Sequence, residues 1–190
     1  FEFDLSSDNY TRLIEWSKPE IIIHCAAITN SNFCEENIEK AFDINSFSIV
    51  RLLKYTAKNV KIIYISSDAV FSPRIKMAKE ETPTNAKNIY GKTKELGEYF
   101  LKKSNRNHHI IRTTIVGFNT NKNKEAFVEW IVKSSLQKKE ISLFTDVLFT
   151  PITISDLSKE IFFLLNSNLD SKTYHITGKD PVTKHFFGVK

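Results

Sequence analysis

The chain has 190 residues, 41% apolar and 26% charged, with a formal net charge of +5. That composition supplies a buried core, and no apolar run approaches the ~20 residues that cross a bilayer, so no membrane partner is expected. The positive charge is mostly Lys and is scattered, with pairs such as Lys102-Lys103 and Lys138-Lys139 in place of a basic stripe, which argues against nucleic acid.

The opening residues Phe1-Glu2-Phe3-Asp4 are acidic and unlike a signal peptide; a cytoplasmic setting is expected. The absence of a starting Met makes a truncated N-terminus the expectation. Cys25 and Cys34 do not form C-x-x-C and read as free thiols. No His, Cys and carboxylate set has metal-ligand spacing, so no metal is expected.

In chain order, residues 8–16 read as a short helix ended by Pro19, with Tyr10, Leu13, Ile14 and Trp16 apolar. Ile21-Ile22-Ile23-His24-Cys25 is a β-branched run, the pattern of a strand covered on both faces. Residues 35–58 have helical spacing through Ile38, Ala41, Phe42, Asn45, Ile49, Leu52 and Leu53. A second buried strand is expected over 60–65, a helix over 87–103 and a third strand over 109–114. Helices follow over 125–137 and 155–165, the latter with Ser155 or Asp156 able to cap its start. Tyr174-His175-Ile176-Thr177 is a late short strand, and 119–124 reads as a mobile polar loop.

Strands alternating with helices of this length imply βαβ units: a Rossmann-like, doubly wound parallel α/β sheet. The expected division is a truncated dinucleotide-binding core over 1–118, then the remainder of the core with part of a substrate-binding region over 119–190. Ligands in such sheets sit at the carboxyl ends of the strands. The residues after Ile23, Ile65 and Ile111 are therefore expected to line one crevice.

Tyr90 and Lys94 form Y-x-x-x-K, and residues four apart share a helix face. A phenol ordinarily titrates near about 10. A neighbouring ammonium stabilises the phenolate, so Lys94 is expected to lower Tyr90 and let the pair pass a proton to a substrate oxygen. Ser67 lies 23 residues earlier at a predicted strand end, where its hydroxyl can hold the same oxygen. Ala26 and Ala27 are small enough for a flat ring and ribose to approach the backbone.

This combination resembles the extended short-chain dehydrogenases, and most of all the dTDP-4-dehydrorhamnose reductase family. The matching segments run collinearly through Pro19-Glu20-Ile21-Ile22-Ile23-His24-Cys25-Ala26-Ala27-Ile28-Thr29, Ala41-Phe42-Asp43-Ile44-Asn45 and Tyr64-Ile65-Ser66-Ser67-Asp68-Ala69-Val70-Phe71. They continue through Asn88-Ile89-Tyr90-Gly91-Lys92-Thr93-Lys94-Glu95-Leu96-Gly97-Glu98, Ile111-Arg112-Thr113-Thr114 and Thr150-Pro151-Ile152-Thr153-Ile154-Ser155-Asp156-Leu157. The resemblance implies catalytic roles for Ser67, Tyr90 as proton donor, and Lys94, which would also bind the nicotinamide ribose. It implies cofactor contacts at Asp4-Leu5 on the adenine side and at Ala26, Ala27 and Ile28, with substrate at Ser67 and Asp68. Asn45 would support the proton relay. The implied cofactor is NADPH or NADH and the implied substrate a nucleotide-activated keto sugar; a homodimer is compatible with it.

The sequence departs from the family pattern in three ways. None of its five glycines forms the turn that cradles a pyrophosphate. In relatives that turn precedes the Asp-Leu, so roughly forty residues are expected to be missing, and the 190 residues alone are expected to bind NAD(P)H poorly. The chain stops at Lys190 inside a late family segment, and Ala69 and Ile115 replace aromatics that relatives often carry. The Asp68-Ala69 pair lacks the Glu that a 4,6-dehydratase uses, which favours a reductase. The alternatives kept open are an epimerase and a non-catalytic subunit, as in the regulatory subunit of methionine adenosyltransferase.

Overall fold

A computed structural model describes residues 2–120, 125–167 and 169–190. These fall into two compact units. One contains the chain up to Arg112 together with Asp170–His175; the other contains Thr113–Leu169 and Ile176–Lys190.

The first unit is built on a four-stranded sheet of order β1-β2-β3-β7, with β1 at Ile21–His24, β2 at Lys61–Ser67, β3 at His108–Thr113 and β7 at Lys172–His175. β1 pairs with β2 in parallel, Ile23 opposite Ile63 and His24 opposite Tyr64, and β3 pairs in parallel with β7. The parallel α/β expectation holds. Helix α1 (Thr11–Ser17) ends before Pro19, with Lys18 in the left-handed region at φ 40° and its N–H returned to the Ile14 carbonyl. Tyr10, Ile49, Leu52, Ile62, Tyr64, Leu101 and Ile110 form one buried cluster that joins sheet and helices.

Two expectations are corrected here. Strand β1, the edge strand of this sheet, is not covered on both faces: Ile21 and Ile23, on one face, are exposed, while His24, on the other, is buried. The single helix expected over 35–58 is interrupted. It begins earlier, as α2 (Ser31–Glu36), capped by the Asn30 side chain accepting from the Phe33 N–H. It breaks at Asn37, resumes as α3 (Ile38–Phe42), widens into a π-helical turn over Asp43–Phe47 and ends as α4 (Ser48–Tyr55). A π turn leaves an extra residue in the helix and is common where a side chain is needed at a site; here that turn carries Asn45.

Helix α5 (Ile89–Lys103) starts at Asn88, whose side chain accepts from the Gly91 N–H. In the second unit, β4 (Ile115–Val116) pairs in parallel with β6 (Ile152–Thr153), and β5 (Leu148–Phe149) pairs antiparallel with β8 (Val182–Thr183). Helix α6 spans Phe127–Leu136, α7 spans Ile154–Leu165 and α8 spans Lys184–Val189. The cap of α7 is Thr153, not Ser155 or Asp156: its hydroxyl accepts from the Asp156 N–H, because the helix begins one residue earlier than the spacing suggested. Residues 121–124 of the loop expected to be mobile lie outside the described residues.

Candidate functional site

The carboxyl end of β2 and the first two turns of α5 are forced together by a glycine. A Cβ on Gly91 would stand 2.1 Å from the Ala69 carbonyl oxygen, so only a glycine lets α5 rest on the short 3-10 turn Asp68–Val70. That turn is capped by Ser67, whose hydroxyl accepts from the Ala69 N–H at 3.2 Å and donates to the Asp68 carboxylate at 3.0 Å. Tyr90, half-buried and one residue before Gly91, is thereby placed beside Ser67.

Burial pushes the Tyr90 phenol up to about 12; Ser67 works against that rise, while the charges of Asp68 and Cys34 add to it. Burial pulls Lys94 down to about 7, opposed by Glu98 and Cys25. The lowering of Tyr90 by Lys94 expected from the sequence is therefore not found. The ammonium is directed elsewhere: it lies over the ring of Tyr64 on β2, 4.0 Å from the ring centroid. Tyr90 is consequently a protonated phenol throughout the neutral range, the form a proton donor needs.

Around Lys94 stand His24 and Cys25 from the end of β1. Burial, with Lys94 second, holds His24 neutral with a pKa of about 4. Cys25 is exposed, yet desolvation raises its thiol, opposed by Lys94. Cys25 and Ala26 are exposed and Ala27 is half-buried, so the strand end is open and lined by small side chains.

Asn45 ties the two segments together. Its side chain accepts from the Ile28 N–H at 2.7 Å, donates to the Ile28 carbonyl at 2.9 Å and donates to the Thr93 hydroxyl at 3.0 Å. The strand-end segment carrying Ala27 and Ile28 is thereby anchored to α5 between Tyr90 and Lys94. Nothing in the sequence pattern singled out Thr93.

Asp4 and Leu5 have partners of their own. The Asp4 carboxylate accepts from the Ser6 N–H, while the Leu5 carbonyl accepts from the Tyr10 hydroxyl and from Arg51, both at 2.8 Å. Arg51 is in turn paired with Asp43 at 2.7 Å, at the start of the π turn.

A buried ion pair, which the residue spacing alone does not reveal, supports the site. Arg112 on β3 binds the Glu98 carboxylate of α5 through two nitrogens, at 2.9 and 2.8 Å. Ser66, next to Ser67, donates to the same carboxylate at 2.7 Å, and Lys102 adds a contact at 3.1 Å. Burial alone would raise Glu98, but Arg112 chiefly, then Ser66 and Lys102, hold it below its ordinary value. The pair fixes α5 against the ends of β2 and β3.

Comparison with known proteins decides the family. The RmlD substrate binding domain matches residues 3–190.

The chain belongs to this family.

It is 30% identical over 151 residues to the spore coat polysaccharide biosynthesis protein SpsK of Bacillus subtilis (strain 168), covering 78% of the chain and 52% of that protein. It is 28% identical over 162 residues to a dTDP-4-dehydrorhamnose reductase of Sinorhizobium fredii, covering 84% of the chain and 54% of that protein. Among solved structures, a dTDP-4-dehydrorhamnose reductase from Bacillus anthracis in complex with NADP superposes with a TM-score of 0.88 at 27% identity, covering 98% of the chain and 66% of that protein. The chain spans about half the length of these curated relatives. The family resemblance read from the residues is thereby shown. Among the described residues no helix is long and apolar enough to cross a membrane.

Proposed function

We propose that this chain carries the proton-transfer half of an NAD(P)H-dependent reductase acting on a keto group of a nucleotide-activated sugar. The observation that carries the reading is the placing of Tyr90 beside Ser67, at the head of a helix that rests on the turn Ser67 caps and whose next turn buries Lys94. The chain's relatives include a dTDP-4-dehydrorhamnose reductase, and one such enzyme is solved with NADP.

The residues present fit the nicotinamide half of such a cofactor. Lys94 is 2% exposed and makes no carboxylate ion pair among the described residues, leaving a buried cation for a ribose hydroxyl. Ala26, Ala27 and Ile28 offer an open strand end to a flat ring, and Asp4-Leu5 are assigned to the adenine side. When bound, the cofactor supplies a hydride. Ser67 would then hold the substrate carbonyl oxygen, with Asp68 beside it for substrate. Tyr90, protonated at neutral pH, would deliver the proton to the oxygen as negative charge develops there. Lys94 would bind the ribose and offset the charge left on the phenolate.

The test is cofactor oxidation by the protein as its gene encodes it, given NADPH or NADH and a dTDP-4-keto sugar. Turnover that disappears in Tyr90→Phe supports the reading; cofactor oxidation at the same rate in that variant overturns it. A second reading, a partner-binding subunit, is favoured by the 28% identity over 179 residues to methionine adenosyltransferase 2 subunit beta of Xenopus tropicalis. Cofactor binding without hydride transfer to any keto sugar would favour it.

A further inference from the structure

Lys94 presents a physical problem that the reductase chemistry does not solve. An ammonium 2% exposed has lost nearly all its hydration, which is unfavourable unless something replaces the water. The usual replacement is a carboxylate, but Glu98, one turn further along α5, is committed to Arg112, Ser66 and Lys102. What meets the ammonium is the face of the Tyr64 ring, 4.0 Å from Nζ to centroid. That is well inside the ~6 Å range over which a ring's electron-rich face attracts a cation, and the attraction is strongest where water is excluded.

Tyr64 is itself completely buried in the middle of β2, and it is held from three sides. Its hydroxyl donates to the Asn45 carbonyl at 3.2 Å, inside the π turn. His24, its register partner on β1, packs at 5.8 Å between ring centroids. Gly97 leaves the room the ring needs: a Cβ there would stand 2.4 Å from the Tyr64 hydroxyl oxygen and 3.3 Å from the Asn45 carbonyl oxygen. The ring therefore cannot tilt away from Lys94 without breaking one of these contacts.

We propose that Tyr64 is a positioning residue of this site, its ring face seating the Lys94 ammonium while its hydroxyl holds the Asn45 carbonyl, so that one side chain sets the places of both. The inference rests on the reductase reading only for its consequence in turnover. Among the described residues, the groups that face Lys94 are His24 at the end of β1, Cys25 just after it, Tyr64 from β2, and Glu98 from its own helix; His24 is neutral and Glu98 is paired. Beside the more distant charge of Glu98, the Tyr64 ring face is a direct contact that favours the charged form of Lys94 without cancelling its charge. The charge stays available to a ligand, which a carboxylate partner would not allow.

The test is direct titration of Lys94 by NMR in protein labelled at lysine, with the signal assigned by Lys94→Arg. Tyr64→Phe keeps the ring and should leave the midpoint, near 7, nearly in place. Fluorinated phenylalanines at position 64 keep almost the same shape while drawing electron density from the ring face. They should lower the midpoint stepwise, by roughly one pH unit for the most electron-poor ring. Lys94 would then be about one-tenth protonated at pH 7 in place of about half, and any hydride transfer should fall by about fivefold at that pH. A midpoint that does not move along the fluorinated series, in protein that melts as the Tyr64→Phe variant does, overturns the proposal. Because the titration is read without substrate, a stepwise shift with no hydride transfer would overturn the reductase reading and leave this one standing.

Discussion

Replacing Gly91 by alanine sets two effects of opposite sign against each other. In the interior of an exposed helix the change stabilises by roughly 0.5–1 kcal/mol, because alanine loses less backbone entropy. Here the new Cβ would stand 2.1 Å from the Ala69 carbonyl oxygen, 2.9 Å from its carbon and 3.0 Å from the Ala86 Cβ. Ordinary contact begins at 3.4 Å, so α5 and the Asp68–Val70 turn must separate by more than 1 Å. The obstacle is backbone, which cannot swing aside as a side-chain tip can. Overpacking of this kind costs about 1–3 kcal/mol and outweighs the propensity gain. At roughly 2–4 °C per kcal/mol for a chain of this size, Gly91→Ala should melt several degrees lower. The same separation moves Ser67 from Tyr90, and a displacement of about 1 Å can cost 10²-fold in rate. Thermal denaturation and steady-state kinetics on one preparation measure both. A melting temperature equal to or above that of the parent would show that the helix does not rest on the turn and would refute the argument.

Tyr90→Phe should reduce turnover by roughly 10²–10⁴-fold with cofactor affinity nearly unchanged, since the phenol acts in the transition state; kinetics within threefold of the parent would remove it as proton donor. Glu98→Gln should destabilise by about 3–5 kcal/mol, because it leaves the Arg112 guanidinium buried without its counter-charge. The Glu98 carboxyl is held below its ordinary value, so its contribution is present above the unfolded pKa of about 4.3 and is lost as pH falls through the folded value. Denaturant unfolding should accordingly show a gap between parent and variant that closes in acid; a gap constant with pH would place the effect elsewhere. A chain of these 190 residues alone should give no saturable NADPH isotherm below about millimolar, because no glycine turn meets the pyrophosphate charge; a clear micromolar isotherm would mean that another segment replaces that cradle.

Much of this protein was legible in the sequence because it is written at short range. β-branched runs placed the strands, and alternation with helical spacing gave a parallel sheet, since crossovers of that length permit little else. The Tyr90 and Lys94 spacing put both on one face of α5 without further information. Long-range facts were not legible. That Glu98 pairs with Arg112, or that Gly91 touches Ala69, depends on which surfaces tertiary packing brings together. The π turn at Asp43–Phe47 does not show in the helical spacing, because Ile38, Ala41, Phe42, Asn45, Ile49, Leu52 and Leu53 fit an unbroken helix equally well. The direction of the Tyr90 shift was misread for the same reason. A four-residue spacing says that Lys94 is near Tyr90, but the fold aims its ammonium at the Tyr64 ring, and burial then dominates both groups. Sequence chose the residues and their faces; only the packed structure decided which way a buried charge points and therefore what it can tune.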